Sequence, residues 1–179
     1  MDALPVMHPS ELTAHIEIRQ ALARYCRGLD RGDFDLICSA YHPGAMDRGR
    51  LTGDGPAEAF ARFAVDKLDQ PRIVGQHHLT NVLVELDGDQ ARVESYFLLY
   101  RPQTNPTTGD SELVPAGGRY LDLFTCRGGR WRIAERRVVM DWVRQPLPGS
   151  QLSSEVRGPA PGRREQDPSW PFLRRTPPD

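Results

Sequence analysis

Gly75-Gln-His-His-Leu-Thr-Asn-Val-Leu-Val-Glu-Leu-Asp-Gly-Asp-Gln-Ala-Arg-Val-Glu-Ser-Tyr-Phe-Leu-Leu-Tyr-Arg101 decides the fold. Two runs rich in β-branched and aromatic residues, Val82 to Leu86 and Ala91 to Arg101, flank Asp87-Gly88-Asp89, which has the composition of a hairpin turn. The same arrangement follows downstream, with Tyr120 to Cys126 and Trp131 to Val143 around Arg127-Gly128-Gly129. Before Pro71 the periodicity is helical. Leu12, Ile16, Leu22, Tyr25 and Leu29 recur along a helix from Ser10, the expected N-cap, to Leu29. Asp33 is placed to cap a short helix through Phe34, Leu36 and Ile37, which Tyr41-His42-Pro43-Gly44 should break. Pro56 suits the first turn of a third helix carrying a stripe of Phe60, Phe63, Ala64 and Leu68. Helices followed by hairpin-connected strands predict an α+β layer fold, with the helices on one face of an antiparallel sheet. Pro102 to Asp110, with its prolines and threonines, reads as a connection and a candidate pocket rim or subunit contact.

The 179 residues suffice for one core, expected over residues 10–145, with an extension at 1–9 and a proline-rich tail or arm at 146–179. Trp170, Phe172 and Leu173 give that tail an apolar cluster suited to docking, against the alternative of a disordered tail. The 23 basic and 24 acidic residues leave no overall field for nucleic acid or an anionic membrane, so a local pocket for a small molecule is expected instead. Cys26, Cys38 and Cys126 have neither the even count of a disulfide framework nor zinc-ribbon spacing. No apolar run is long enough to span a bilayer and the first residues do not resemble a secretion signal, so a cytoplasmic location is expected.

Imidazole exchanges protons near neutral pH, and a carboxylate that fixes its tautomer makes it a general base. His77, at the head of a strand, and Asp30, at the end of the first helix, are the candidate pair, with Tyr25 five residues before the acid. Each has a plainer reading alone: a rim histidine, a helix-linking acid, a core tyrosine. His77 and His78 point to opposite faces of a strand, so at most one enters a pocket, and their divergence argues against a metal site. Along the last strand, unbroken alternation puts Trp131, Ile133, Glu135, Arg137, Val139 and Asp141 on one face and Arg132, Ala134, Arg136, Val138, Met140 and Trp142 on the other. Arg137 and Asp141 are then candidates for a pocket wall or a structural ion pair. Arg119 and Asp122 have opposite parity and cannot both face one pocket without a bulge.

Ile18-x-x-Ala21-x-x-x-Tyr25-x-x-x-Leu29-Asp30-x-Gly32-Asp33-Phe34, Tyr41-His42-Pro43-Gly44-Ala45-x-Asp47, His77-His78-x-x-Asn81, Asp87-Gly88-Asp89-x-Ala91 and Gly118-Arg119-Tyr120-x-Asp122, closed by Trp131-Arg132-Ile133-Ala134, together resemble the SnoaL-like branch of the nuclear-transport-factor-2-like superfamily. The resemblance covers about residues 10 to 145. It implies an α+β cone, with N-terminal helices packed in a strongly curved antiparallel sheet around an apolar pocket. It implies chemistry without a cofactor or metal: a lyase in which His77 and Asp30 are the base pair and Tyr25 assists a departing or enolising oxygen. Tyr41, Asp47, Asn81, Arg119 and Arg137 are the candidate substrate-binding residues, with Arg119 and Arg137 both qualifying as the family's pocket arginine. Gly44 stands where the family usually has an acid. Isomerase or cyclase chemistry is the alternative within enzymes, and a non-catalytic subunit or ligand-binding module is the alternative outside them. The resemblance also implies a homo-oligomer, a trimer slightly ahead of a dimer, with Met140 and Trp142 covered by a neighbour.

Overall fold

A computed structural model describes residues 7–49, 53–67, 75–105, 107–109 and 111–144. The expectations for the 146–179 arm and for Leu68 lie outside the described residues. Helix α1 runs Pro9–Arg31, one turn's edge longer than the periodicity predicts at each end. Its N-cap is His8 rather than Ser10: the imidazole accepts from the Ser10 N–H and Glu11 returns a bond to the His8 N–H. Gly32, in the left-handed region at φ 62°, ends the helix and turns the chain into α2, Phe34–Ser39. Asp33 caps α2 as expected, accepting from the Leu36 N–H at 3.0 Å. Gly28 permits the tight α1–α2 corner, because a Cβ there would stand 2.6 Å from the Ile37 side chain and 2.8 Å from its backbone nitrogen.

Tyr41 to Gly44 does not simply break the chain: β1 spans Tyr41–Arg48 and runs parallel to β6, Arg130–Val143. Its Pro43-Gly44 portion bows out where the register shifts between Tyr41 and Met46, leaving both residues exposed. Strand β2, Gly55–Pro56, pairs with β1 and leads into α3, Ala57–Lys67. Ala57 and Ala61 form the buried edge of α3, with Phe60 and Ala64 packed beside them, whereas Phe63 is exposed. The remaining strands are β3 (Gln76–Asp87), β4 (Gln90–Thr104) and β5 (Ser111–Arg127). Both predicted hairpin turns form, at Gly88-Asp89 and Gly128-Gly129. The Pro102 region is strand rather than connection, since Pro102 and Gln103 pair in register with Leu113 and Glu112. Backbone pairing between long strands carries through a stretch whose composition alone reads as a loop.

The six strands form one open, curled sheet in the order β2-β1-β6-β5-β4-β3, and the helices fill its concave side. Ile18, Ala21, Leu22, Tyr25 and Leu29 of α1 meet Val93, Phe97, Tyr120, Phe124 and Ile133 of the sheet in the core. This is the expected α+β cone. Among the described residues, no helix is long and apolar enough to cross a membrane.

Candidate active site

Asp30 sits in the last turn of α1 and His77 at the second position of β3, and the two close on each other. The Asp30 carboxylate accepts the His77 backbone N–H on both oxygens, at 3.2 and 3.0 Å, while His77 Nδ1 lies 2.6 Å from Asp30 Oδ1. Backbone and ring are therefore fixed by one anion. With Nδ1 as the donor to the carboxylate, Nε2 is the ring nitrogen left to take a proton. A cleft of about 330 Å³ opens beside the pair, lined by Cys26, Arg27, Arg31 and Leu79 as well as the dyad. Both side chains keep a small exposure, 11% for His77 and 14% for Asp30, enough to meet a ligand from that cleft. His78 points the other way, edge-on to Tyr100, as strand alternation requires. Cys26 takes no part as a nucleophile at neutral pH, since burial pushes its thiol up to about 12.

Deeper in the cone lies an ionic and aromatic cluster that unbroken alternation does not foresee. Arg136, fully buried, donates from Nε and Nη2 to the two oxygens of Asp122, each at 2.7 Å. Its guanidinium lies between the rings of Tyr25 and Tyr120, 4.1 and 4.0 Å from their centroids. Burial works against its charge, but the Asp122 carboxylate together with Tyr41 and Tyr25 outweighs burial and holds the group well above the ordinary guanidinium pKa. Arg136 Nη1 and Ser95 Oγ are buried with no hydrogen-bond partner among the described residues. Such polar atoms are costly to leave dry.

Arg136 faces inward because of a bulge. Phe124 pairs with Ile133 but Leu123 with Glu135, so Ala134 is an extra residue and the inward set changes from Trp131 and Ile133 to Arg136 and Val138. This overturns the unbroken alternation read from the sequence. A readable signal existed: a regular register running back from Arg127↔Arg130 would set Asp122 opposite Glu135, two acids side by side, whereas the bulge brings it opposite Arg136.

The other candidates are placed as follows. Tyr25 is fully buried, edge-on to Tyr41 and Tyr120, inside the Arg136 cluster rather than on the wall of the cleft at His77. Tyr41 donates its hydroxyl to Asp47 Oδ2 at 2.9 Å, and both are buried, so they form a structural pair beside Arg136 instead of an open substrate-binding edge. Asn81 is exposed: Leu79 pairs with Phe97 and Val82 with Ser95, so a bulge at Thr80-Asn81 breaks the alternation that would have carried Asn81 inward with His77. Arg119 lies on the outer face, where it binds Asp141 at 3.0 Å and Glu94 at 3.4 Å. Arg137 is exposed as well. Neither lines the cleft beside the dyad, and the arginine of the cone interior is Arg136.

A comparison with curated protein sequences finds no match. Solved structures are more informative about the fold. The type-2 hexachlorocyclohexane dehydrochlorinase LinA superposes with a TM-score of 0.70 at 15% identity, covering 83% of this chain and 98% of that one. The type-3 enzyme from Novosphingobium barchaimii gives 0.68 at 17% identity over 80% and 97% of the two chains. A candidate scytalone dehydratase from Novosphingobium aromaticivorans gives 0.66 at 13%, covering 85% of this chain and all of its own. The profile of the SnoaL-like domain matches residues 10–137, from the first turns of α1 to the arginine pair at Arg136-Arg137. That match spans both halves of the dyad and the whole cone, and the chain accordingly belongs to the SnoaL-like domain family of the nuclear-transport-factor-2-like superfamily.

Proposed function

We propose that this protein is a cofactor-independent lyase that acts on a hydroxylated, mostly apolar cyclic or aromatic small molecule. The observation that carries the reading is the Asp30–His77 clamp at 2.6 Å, open to a cleft. His77 Nε2 removes a proton from a carbon or hydroxyl of the substrate, and Asp30 holds the tautomer and stabilises the imidazolium that forms. In a dehydration the pair of the broken C–H bond forms the double bond and expels hydroxide, which leaves as water once protonated; in a carbon–carbon cleavage the pair of the hydroxymethyl O–H bond forms the carbonyl of formaldehyde and the pair of the broken C–C bond stays on the product carbon. The imidazolium then returns its proton to the departing group or the product.

Arg136 is the fixed positive charge of the cone interior, and its unpartnered Nη1 supports a role in receiving an oxygen that gains negative charge. Tyr25 positions that guanidinium through its ring. The family neighbours lend the reading weight, since a dehydrochlorinase and a candidate scytalone dehydratase share the architecture.

The test is a screen of hydroxylated steroids, polyketides and lignin-derived diols, read by mass spectrometry for loss of water or formaldehyde. Turnover that vanishes in His77→Ala supports the reading. A product of unchanged mass identifies an isomerase or cyclase instead. Ligand binding with no conversion by either protein identifies a binding module and defeats the lyase reading.

A further inference from the structure

A second cleft, of about 340 Å³, lies between earlier turns of α1 and the start of β6 and shares no lining residue with the cleft at His77. Arg24 comes from α1, Ser39 from the end of α2, and Arg130, Trp131 and Arg132 from the start of β6. Glu17 is the sole carboxylate on its wall, and it is held by the Trp131 backbone N–H at 2.9 Å, with Arg130 at 4.0 Å. Arg24 donates from Nε to Ser39 Oγ at 3.2 Å, and Ser39 in turn donates to the Leu36 carbonyl at 2.7 Å. That chain fixes the Arg24 guanidinium plane and leaves its two terminal nitrogens without a partner among the described residues. Arg132, half-buried, likewise has no hydrogen-bond or ion-pair partner among them.

Three guanidiniums thus share one cleft wall with a single acid, leaving a double positive charge unmatched. We propose that this cleft binds the dianionic phosphate group of a small phosphate monoester, with Arg24 and Arg132 gripping the oxyanion and Ile16 and the Trp131 edge receiving the ester's apolar part. Paired guanidiniums present forked donors that match phosphate oxygens, and Ser39 pre-orients one of them. The crowding of like charge is felt by Arg24, whose pKa is lowered first by burial and then by Arg132, a penalty that a bound dianion relieves. The site lies away from the proton-transfer pair, so occupancy is independent of the lyase reading.

Isothermal calorimetry on the full chain with phenyl phosphate, inorganic phosphate and benzoate tests it. Phenyl phosphate should bind once per chain, more tightly than either of the others and more weakly as salt rises. Arg132→Gln and Arg24→Gln should each weaken it by on the order of tenfold. Arg130→Gln, at a mostly exposed position, should weaken it less, and His77→Ala not at all. Equal affinity for inorganic phosphate would overturn the assignment to an ester with an apolar body. Absence of binding, or binding that survives both arginine substitutions in variants of unchanged melting temperature, would overturn the site itself. Loss of binding in His77→Ala would place the anion at the dyad, where Arg27 and Arg31 stand, and would equally overturn it.

Discussion

Asp30 and His77 are 47 residues apart in the chain, yet one carboxylate takes both the backbone N–H and the ring nitrogen of the histidine. A rotamer change of His77 would have to break the bond at Nδ1 while the backbone stays tethered, so the ring is pre-oriented before any ligand arrives. Replacing His77 with Ala is therefore expected to lower turnover about 100- to 10,000-fold, in the range of a lost general base. His78→Ala, on the outer face, should change kcat little. Steady-state kinetics of the two variants beside the parent check this, and the reverse ranking would sink the assignment.

Asp30→Asn keeps the volume but removes the charge that accepts from two donors, the His77 backbone N–H and its Nδ1. Turnover should fall as severely as in His77→Ala, and the hydrogen bonds weakened should also cost stability, about 1.5–3 kcal/mol if the charged acceptor is the main loss. Urea titration together with kinetics would distinguish the two effects.

The Arg136–Asp122 pair is expected to dominate the stability of the cone interior. Arg136→Met leaves Asp122 charged and buried without the guanidinium that lies between two tyrosine rings, and should cost about 3–5 kcal/mol. The double variant Arg136→Met with Asp122→Asn should recover much of that loss without recovering activity. Denaturation of the four members of the cycle measures the coupling. If the single and double variants are equally unstable, Arg136 matters through packing rather than charge.

His42 gives the fold a predictable acid sensitivity. Burial lowers its pKa, opposed by the bond to the Thr125 carbonyl at 2.8 Å, while Arg127 and Arg132 add to the lowering. As pH falls through the ordinary imidazole range, the unfolded chain takes up the proton before the folded one does. The contribution of His42 to stability is thus full above that range and declines below it. Melting temperature followed across mildly acidic pH should fall less steeply in His42→Gln than in the parent; parallel profiles would show that another group is responsible.

The outer sheet face carries Tyr96, Tyr100 and Trp142 in exposed positions, with Trp142 lying over Gly117, whereas Met140, expected beside Trp142, pairs with Gly118 on the face of Arg136 and Val138 because a second register shift falls between them. Assembly into a homo-oligomer, a trimer slightly ahead of a dimer, is expected to cover it. Trp142→Glu should lower the mass seen in sedimentation equilibrium while leaving the monomer folded. A parent that sediments as a monomer would refute the expectation.

The legible parts of this fold were those fixed by local chemistry. Asp33 capping α2, the Gly88 and Gly128 turns, and the helical recurrence of Leu22, Tyr25 and Leu29 each depend on near neighbours, and each formed, whereas Leu12 and Ile16, expected on the same stripe, are exposed. Asp30 and His77 were legible through family motifs and strand parity, because no irregularity lies between His77 and the start of its strand. Asn81, Arg119 and Arg137 were misplaced or left ambiguous where non-local pairing decides. A single extra residue at Thr80-Asn81, and another at Ala134, reverse which side chains face the interior, and neither has a local sequence cue. The parallel partnership of β1 with β6 is equally non-local, so Pro43-Gly44 looked like an end rather than a bow in a strand.

The bulge at Ala134 has a consequence for how the chain finds its register. Arg136 and Arg137 are adjacent, but only the pairing with the extra residue sets a guanidinium directly opposite Asp122; without it Glu135 would stand there. The hydrocarbon favours the same alignment, since Ile133 is buried in the core on one side of the irregularity and Val138 packs against the core on the other. A slipped β6 would therefore face acid with acid and misplace a core residue at once, so the ion pair and the hydrocarbon around it select one and the same register.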